Sequence, residues 1–136
     1  MTKSRKAILQ VLESAKVPLS ASDVAASVSC DCDQATVYRT LHYLEDHDLA
    51  TSFVLHCEKH GTERYYSAVA AAGCHHHWFH CESCHRFIDL GACSLEPVLR
   101  ELENRHGLEV LSHTFFLTGI CPDCRKARRT GENGKP

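Results

Sequence analysis

The sequence predicts an α+β chain in two unlike halves, on three observations. Apolar residues recur at helical spacing three times before residue 50. Two extended runs around a turn-rich stretch follow. Beyond residue 70 the pattern becomes strand, strand, helix, strand. Seven of nine cysteines and nine of eleven histidines lie beyond residue 50.

Ser4 is placed to cap a first helix with Ala7, Ile8, Val11 and Leu12 on its apolar face, and Pro18 ends it. Ser20 starts a second, with Asp23 at the third helical position and Val24, Ala25 and Val28 facing inward. After a polar loop, a third helix begins near Asp33 and carries Ala35, Val37, Leu41 and Leu44 to about Asp46. Extended runs over 50–56 and 64–69, joined by the turn-rich residues 58–62, read as a hairpin. Three short helices and a hairpin are the order of a winged helix-turn-helix. In the second half, 76–81 and 86–90 read as strands. Residues 94–106 read as a helix capped by Ser94, with Leu95, Val98, Leu99 and Leu102 as its stripe and Gly107 as its stop. Residues 109–117 read as a last strand, which completes a small α+β unit. The expected division is 1–70 for the winged helix, 71–126 for the second unit and 127–136 for a flexible polar tail.

The 136 residues are 43% apolar and 24% charged, an ordinary globular composition. Fifteen Lys and Arg against 17 Asp and Glu give a net charge of -2, so any affinity for nucleic acid must rest on local features. There is no 18-residue apolar run and no signal-peptide cleavage pattern at the N-terminus. A cytoplasmic chain with reduced thiols is the expectation, and an odd cysteine count argues against a complete disulfide framework.

The strongest chemical signal is Cys81-x-x-Cys84 with Cys121-x-x-Cys124. Two such knuckles offer four thiolates at the spacing tetrahedral zinc needs, so a structural Zn2+ is expected there; a thiol redox pair normally needs only one such motif. The second signal is the run from Cys74 to His80. On a strand, His75, His77 and Phe79 face one way and His76, Trp78 and His80 the other. His75 and His77 make half a metal site, with Glu96 and His113 as candidates to complete it. Such a set suits zinc, or iron, manganese, nickel or cobalt with added ligands; a solvated histidine run is the competing reading. The third signal is the start of the third helix, where Thr36, Tyr38 and Arg39 are placed to meet DNA, with Lys3, Arg5 and Lys6 adding phosphate contacts; the competing reading is a solvated helix face.

Together these segments resemble the ferric uptake regulator (Fur) superfamily. ATVYRTLHYLEDHDLA resembles its recognition helix and TKSRKAILQVL its helix start. CHHHWFHCESCHRFIDL resembles its histidine-rich segment and first knuckle, and HGLEVLSHTFFLTGICPDC its closing strand and second knuckle. The likeness covers roughly residues 2–124. It implies a homodimeric, metal-dependent repressor of metal-homeostasis genes, a zinc-uptake-regulator-like or iron-responsive member. The winged helix would bind double-stranded operator DNA, an AT-rich palindrome, and the C-terminal unit would dimerise. No membrane is implied. By position it implies structural zinc at Cys81, Cys84, Cys121 and Cys124, and a second, regulatory Zn2+ or Fe2+ at His75, His77, Glu96 and His113, where His77 stands in for an Asp of some members.

Other positions depart from the family pattern. Its usual sensory site, at the hinge between domains, is incomplete: the ligand expected before the second helix falls close to Pro18, and of two strand positions His76 fits but Trp78 fills the other. Cys57, His60, Cys74 and His80 are the nearby substitutes, a soft set favouring zinc, with His56 weaker and Cys93 read as core. Asp89 matches a ligand of peroxide-sensing members, and the family's usual first helix is missing or reduced to residues 1–4. A thiol- or peroxide-responsive switch, in which oxidation of the knuckle cysteines ejects zinc and releases DNA, is the alternative within the superfamily; the absent N-terminal ligand counts against peroxide sensing at Asp89. An enzyme is not expected, since a four-ligand zinc leaves no open position for water and no nucleophile–base pair or nucleotide loop is visible.

Overall fold

The structure, a computed structural model, describes residues 1–29, 31–70 and 73–130. Helix α1 (Lys3–Ser14) opens on Thr2, not Ser4. Thr2 has extended backbone and its hydroxyl accepts the Arg5 N–H at 3.2 Å, whereas Ser4 already lies inside the helix. A two-residue strand β1 (Leu19–Ser20) leads into α2 (Ala21–Ser27), held by the expected reciprocal capping of Ser20 and Asp23. The Asp33 carboxylate caps α3 (Gln34–Asp46) by accepting the Thr36 N–H at 2.8 Å. Ile8, Leu12, Val24, Val37, Leu41 and Leu44 form the core among these helices.

Strands β2 (Ala50–Cys57) and β3 (Gly61–Ala68) pair in one unbroken antiparallel register, and β1 adds to the far edge of β3. The hairpin turn is tighter than expected because Gly61 takes a left-handed conformation (φ 70°) and restarts the ladder at once. The second sheet has β4 (His76–Cys81) at its centre, antiparallel to β5 (Phe87–Ala92) and parallel to β6 (Phe116–Gly119). An aromatic cluster joins the halves. Phe53, Leu55 and Tyr65 of the wing pack with Trp78, Phe87 and Phe116, and the Phe53–Phe116 and Tyr65–Phe87 ring centres are 5.0 Å apart.

Three expectations are corrected. Helix α4 (Glu96–His106) is capped at Leu95, one residue later than the expected Ser94 and without a side-chain hydrogen bond, because Ser94 as cap would put Pro97 at the third helical position, where the cap needs an N–H that proline lacks. The last strand is limited to β6: upstream the chain turns toward α4, where Glu103 accepts the Val110 N–H at 2.8 Å. An unforeseen helix, α5 (Pro122–Arg129), occupies the start of the supposed tail, with Asp123 in its first turn and Lys126, Arg128 and Arg129 in its last, signs that complement the helix dipole. Residues 131–136 lie outside the described residues. Gly107 stops α4 as expected (φ 67°), yet no α4 residue is buried, and its stripe residue Val98 is 53% exposed. Among the described residues no helix is long and apolar enough to cross a membrane.

Candidate metal centres and nucleic-acid face

The two Cys-x-x-Cys knuckles meet. Cys81 ends β4, Cys84 lies in the turn after it, and Cys121 and Cys124 open α5. The four sulfurs all lie within 4.8 Å of one another, and Cys84 and Cys121 are 3.8 Å apart. A tetrahedron with ~2.3 Å Zn–S bonds has an edge of about 3.8 Å, the Cys84–Cys121 separation, so the cluster is assembled on the scale of a zinc site. The Cys81 sulfur accepts the N–H groups of Ser83 and Cys84 at 3.4 Å and of Cys121 at 3.3 Å. Burial opposes its thiolate, but the amides of Cys84, Cys121 and Ser83 outweigh burial and bring the thiol down to about 6. Seven cysteines are free, as expected; Cys32 is disulfide-bonded, contrary to expectation, and Cys30 lies outside the described residues.

A second cluster joins His75, His77, His113 and Cys93. The three Nε2 atoms converge: His75 to His113 is 3.1 Å, His75 to His77 is 3.2 Å, and His77 to His113 is 3.3 Å. The Cys93 sulfur is 3.4 Å from His113 Nε2. With metal–nitrogen bonds of ~2.0–2.1 Å a tetrahedral edge is about 3.3 Å, so these atoms are spaced as ligands. His77 Nδ1–H donates to the Phe115 carbonyl at 2.9 Å, which leaves the Nε2 lone pair free to bind metal. Burial first, then the His77 and His113 charges, lower the His75 pKa. Burial also lowers that of His77, against the Phe115 carbonyl. Both therefore favour the neutral, ligating form.

Glu96 does not join this cluster. It lines the adjoining cavity of about 790 Å³, and its carboxylate pairs with Arg100 at 3.2 Å, one turn along α4. Cys93, read from sequence as core, takes the fourth place. Its N–H donates to the His75 carbonyl at 2.9 Å, which sets the two residues side by side. That cross-strand placement is non-local and leaves no signal in spacing.

The substitutes proposed for the hinge separate into two places. His76 turns to Asp89 at 2.8 Å, and Cys74 is exposed and joins none of the ligand clusters. Cys57, His60 and His80 do come together, with His85, which the sequence reading missed. Trp78 is buried in the aromatic cluster. His85 is a non-glycine residue at φ 67°, a conformation costing ~1–2 kcal/mol for an L-residue.

On the winged helix, Tyr38 and Arg39 project from the N-terminal part of α3, Arg39 donating to the Thr36 hydroxyl at 3.3 Å. Lys3 and Lys6 are exposed on α1, whereas the Arg5 guanidinium stacks 3.6 Å from the Tyr43 ring centre and ties α1 to α3.

These features define a winged helix fused to a small metal-ligating α+β unit. The model of the Ferric uptake regulator family matches residues 1–118, and the chain belongs to that family. The ferric uptake regulation protein of Klebsiella pneumoniae is 33% identical over 95 residues, 68% of this chain; the chain spans 57% of that relative's length. The Helicobacter pylori ferric uptake regulator, described as having three functional metal binding sites, superposes with a TM-score of 0.66 at 24% identity, over 92% of this chain and 81% of the other. A zinc uptake regulator complexed with zinc and DNA superposes with a TM-score of 0.63 at 18% identity, over 94% of this chain and 85% of the other.

Proposed function

We propose that the chain is a metal-dependent, DNA-binding transcriptional repressor of metal-homeostasis genes, with zinc as co-repressor. The observation that carries this reading is the convergence of His75, His77, His113 and Cys93 in a chain that also presents Tyr38 and Arg39 on a winged helix. A set containing one thiolate favours zinc over iron. In this reading Cys81, Cys84, Cys121 and Cys124 hold a structural zinc, and the second cluster holds the regulatory ion. The bound ion supplies a cross-link between β4, the segment after β5 and the segment before β6. Residues 1–70 read DNA and 71–126 hold metal and dimerise. The bare stripe of α4 supports dimerisation, because Val98 and Leu102 are apolar and lack cover within the chain.

The chain's own residues then act as follows. Arg39 is placed to fork onto a guanine edge or a phosphate, Tyr38 to contact a phosphate or a thymine methyl, and Thr36, Lys3 and Lys6 to contact phosphates. A two-fold dimer matches a palindrome, AT-rich by family resemblance. Arg5, committed to Tyr43, contributes by fixing α1 against α3. The test is operator binding with and without zinc, at fixed salt, alongside a His77→Ala/His113→Ala variant. Zinc is expected to tighten wild-type binding ~5–150-fold, the range of ordinary allosteric coupling, and the variant to lose that response. Equal affinity with and without zinc in the wild type would overturn the reading.

A further inference from the structure

The reading above leaves one cluster unused, between the wing and the first knuckle. Cys57 ends β2, His60 lies in the hairpin turn, His80 sits in β4, and His85 follows the knuckle. The ligand atoms of Cys57, His80 and His85 all lie within 4.8 Å of one another. His60 Nδ1 is 3.3 Å from the Cys57 sulfur. Its inner side is buried, with Cys57 3% and His80 2% exposed, while His85 is half-buried and His60 is exposed at the rim.

Two polar atoms there have no partner. Among the described residues three buried side-chain nitrogens lack a hydrogen bond, and two of them are His80 Nδ1 and His85 Nδ1. A buried imidazole nitrogen without a partner forfeits its hydration for nothing. Two buried imidazoles with an unpartnered nitrogen beside a buried thiol are explained together if a cation binds the cluster. The backbone agrees. His85 holds a left-handed conformation that glycine adopts freely, so what this position gains over glycine is its ring, and the ring lies 5.6 Å from His80 and 5.7 Å from His60. Asp23 and Glu63 line a cavity with His60, His80 and His85, so the surroundings of the cluster carry negative charge.

We propose that Cys57, His80 and His85, with His60 as fourth ligand, bind a zinc ion that fastens the wing hairpin to the C-terminal half. A thiolate with imidazoles is a zinc donor set, poorly suited to magnesium, calcium or manganese. Neither of the positions where the family's usual sensory ligands are replaced, Pro18 and Trp78, takes part. Two ligands come from the DNA-reading half and two from the metal-binding half, so occupancy fixes how the halves sit together. In that respect the inference rests on the repressor reading; as a metal site it stands alone.

The test uses the full chain with its four-cysteine zinc retained. Exchangeable metal is stripped with a mild chelator and Co2+ is titrated in, read by elemental analysis and by the visible d–d and thiolate-to-cobalt bands. The wild type is expected to keep one zinc and take two cobalt ions. Cys57→Ser, and separately His85→Gly, should each take one fewer, Cys57→Ser with loss of part of the thiolate band. His77→Ala/His113→Ala should also take one fewer, and adding Cys57→Ser to it should remove the last. His85→Gly guards against misfolding, because glycine relaxes that backbone while removing only the ligand. Two cobalt ions and an unchanged spectrum in both Cys57→Ser and His85→Gly would overturn the proposal. Operator binding is measured separately: if the cobalt counts fall as stated but DNA affinity ignores metal, the site stands and the repressor reading falls.

Discussion

The two halves are held together by different means. Among the described residues, the largest fully buried side chains are aliphatic in the winged helix (Ile8, Val24, Val37, Leu41 and Leu44) and cysteines in the second half (Cys81 and Cys121). Helices α4 and α5 have no fully buried residue. The first half thus stands on apolar burial, worth ~1.5–3 kcal/mol for each large side chain. The second half has the aromatic contact of Trp78, Phe87 and Phe116 with the wing and, in the proposed reading, ligands converging on metal. The part that would sense metal is built so that it cannot be indifferent to it.

Several experiments would break or sharpen that contrast. The largest effect is expected from Cys81→Ala or exhaustive removal of the structural zinc. Structural zinc contributes ~10–16 kcal/mol in small domains, so the second half should unfold while α1–α3 stay helical, as limited proteolysis with circular dichroism would report. If both halves melt together, the contrast is wrong. Leu41→Ala should cost ~2–5 kcal/mol in denaturant unfolding, with knuckle zinc retained in the native protein. Arg39→Ala should weaken operator binding by ~1–3 kcal/mol without moving the melting temperature, because Arg39 is exposed and bonds only Thr36. The smallest effect is expected from Glu96→Gln. Its exposed pair with Arg100 is worth little, and with Cys93 in the fourth place metal stoichiometry should not change. Loss of one metal per chain in Glu96→Gln would restore Glu96 to the ligand set and displace Cys93.

What was legible in the sequence follows the same divide. The Ser20–Asp23 capping box and the Asp33 cap are local signals and appear where the spacing puts them; of the predicted apolar faces, Ile8 and Leu12 of α1 and Val37, Leu41 and Leu44 of α3 reach the core, whereas Leu9 packs there in place of Ala7 and Val11, and Ala35 is exposed. The four-cysteine cluster was also legible, because each knuckle is a short local motif. The fourth member of the second cluster was not, because choosing Cys93 over Glu96 depends on how the chain after β5 lies across His75. His85 was passed over for a similar reason, since nothing in its neighbourhood reveals that the wing hairpin reaches it. Helix α5 was missed because it has no apolar face to announce it; only Pro122 at its start and the charges at its two ends give it away.

Strand β4 is only six residues long, yet His77, His80 and Cys81 place one member of each of the three side-chain clusters on it. A shift of this strand by a single residue would invert its faces and withdraw a member from all three clusters at once. If ions bound at these clusters resist such a shift, each would raise the affinity of the others, and linkage would make the effect reciprocal. Titrations of such a chain should be cooperative in metal, and a lesion at one cluster should be read as weakened affinity at the others.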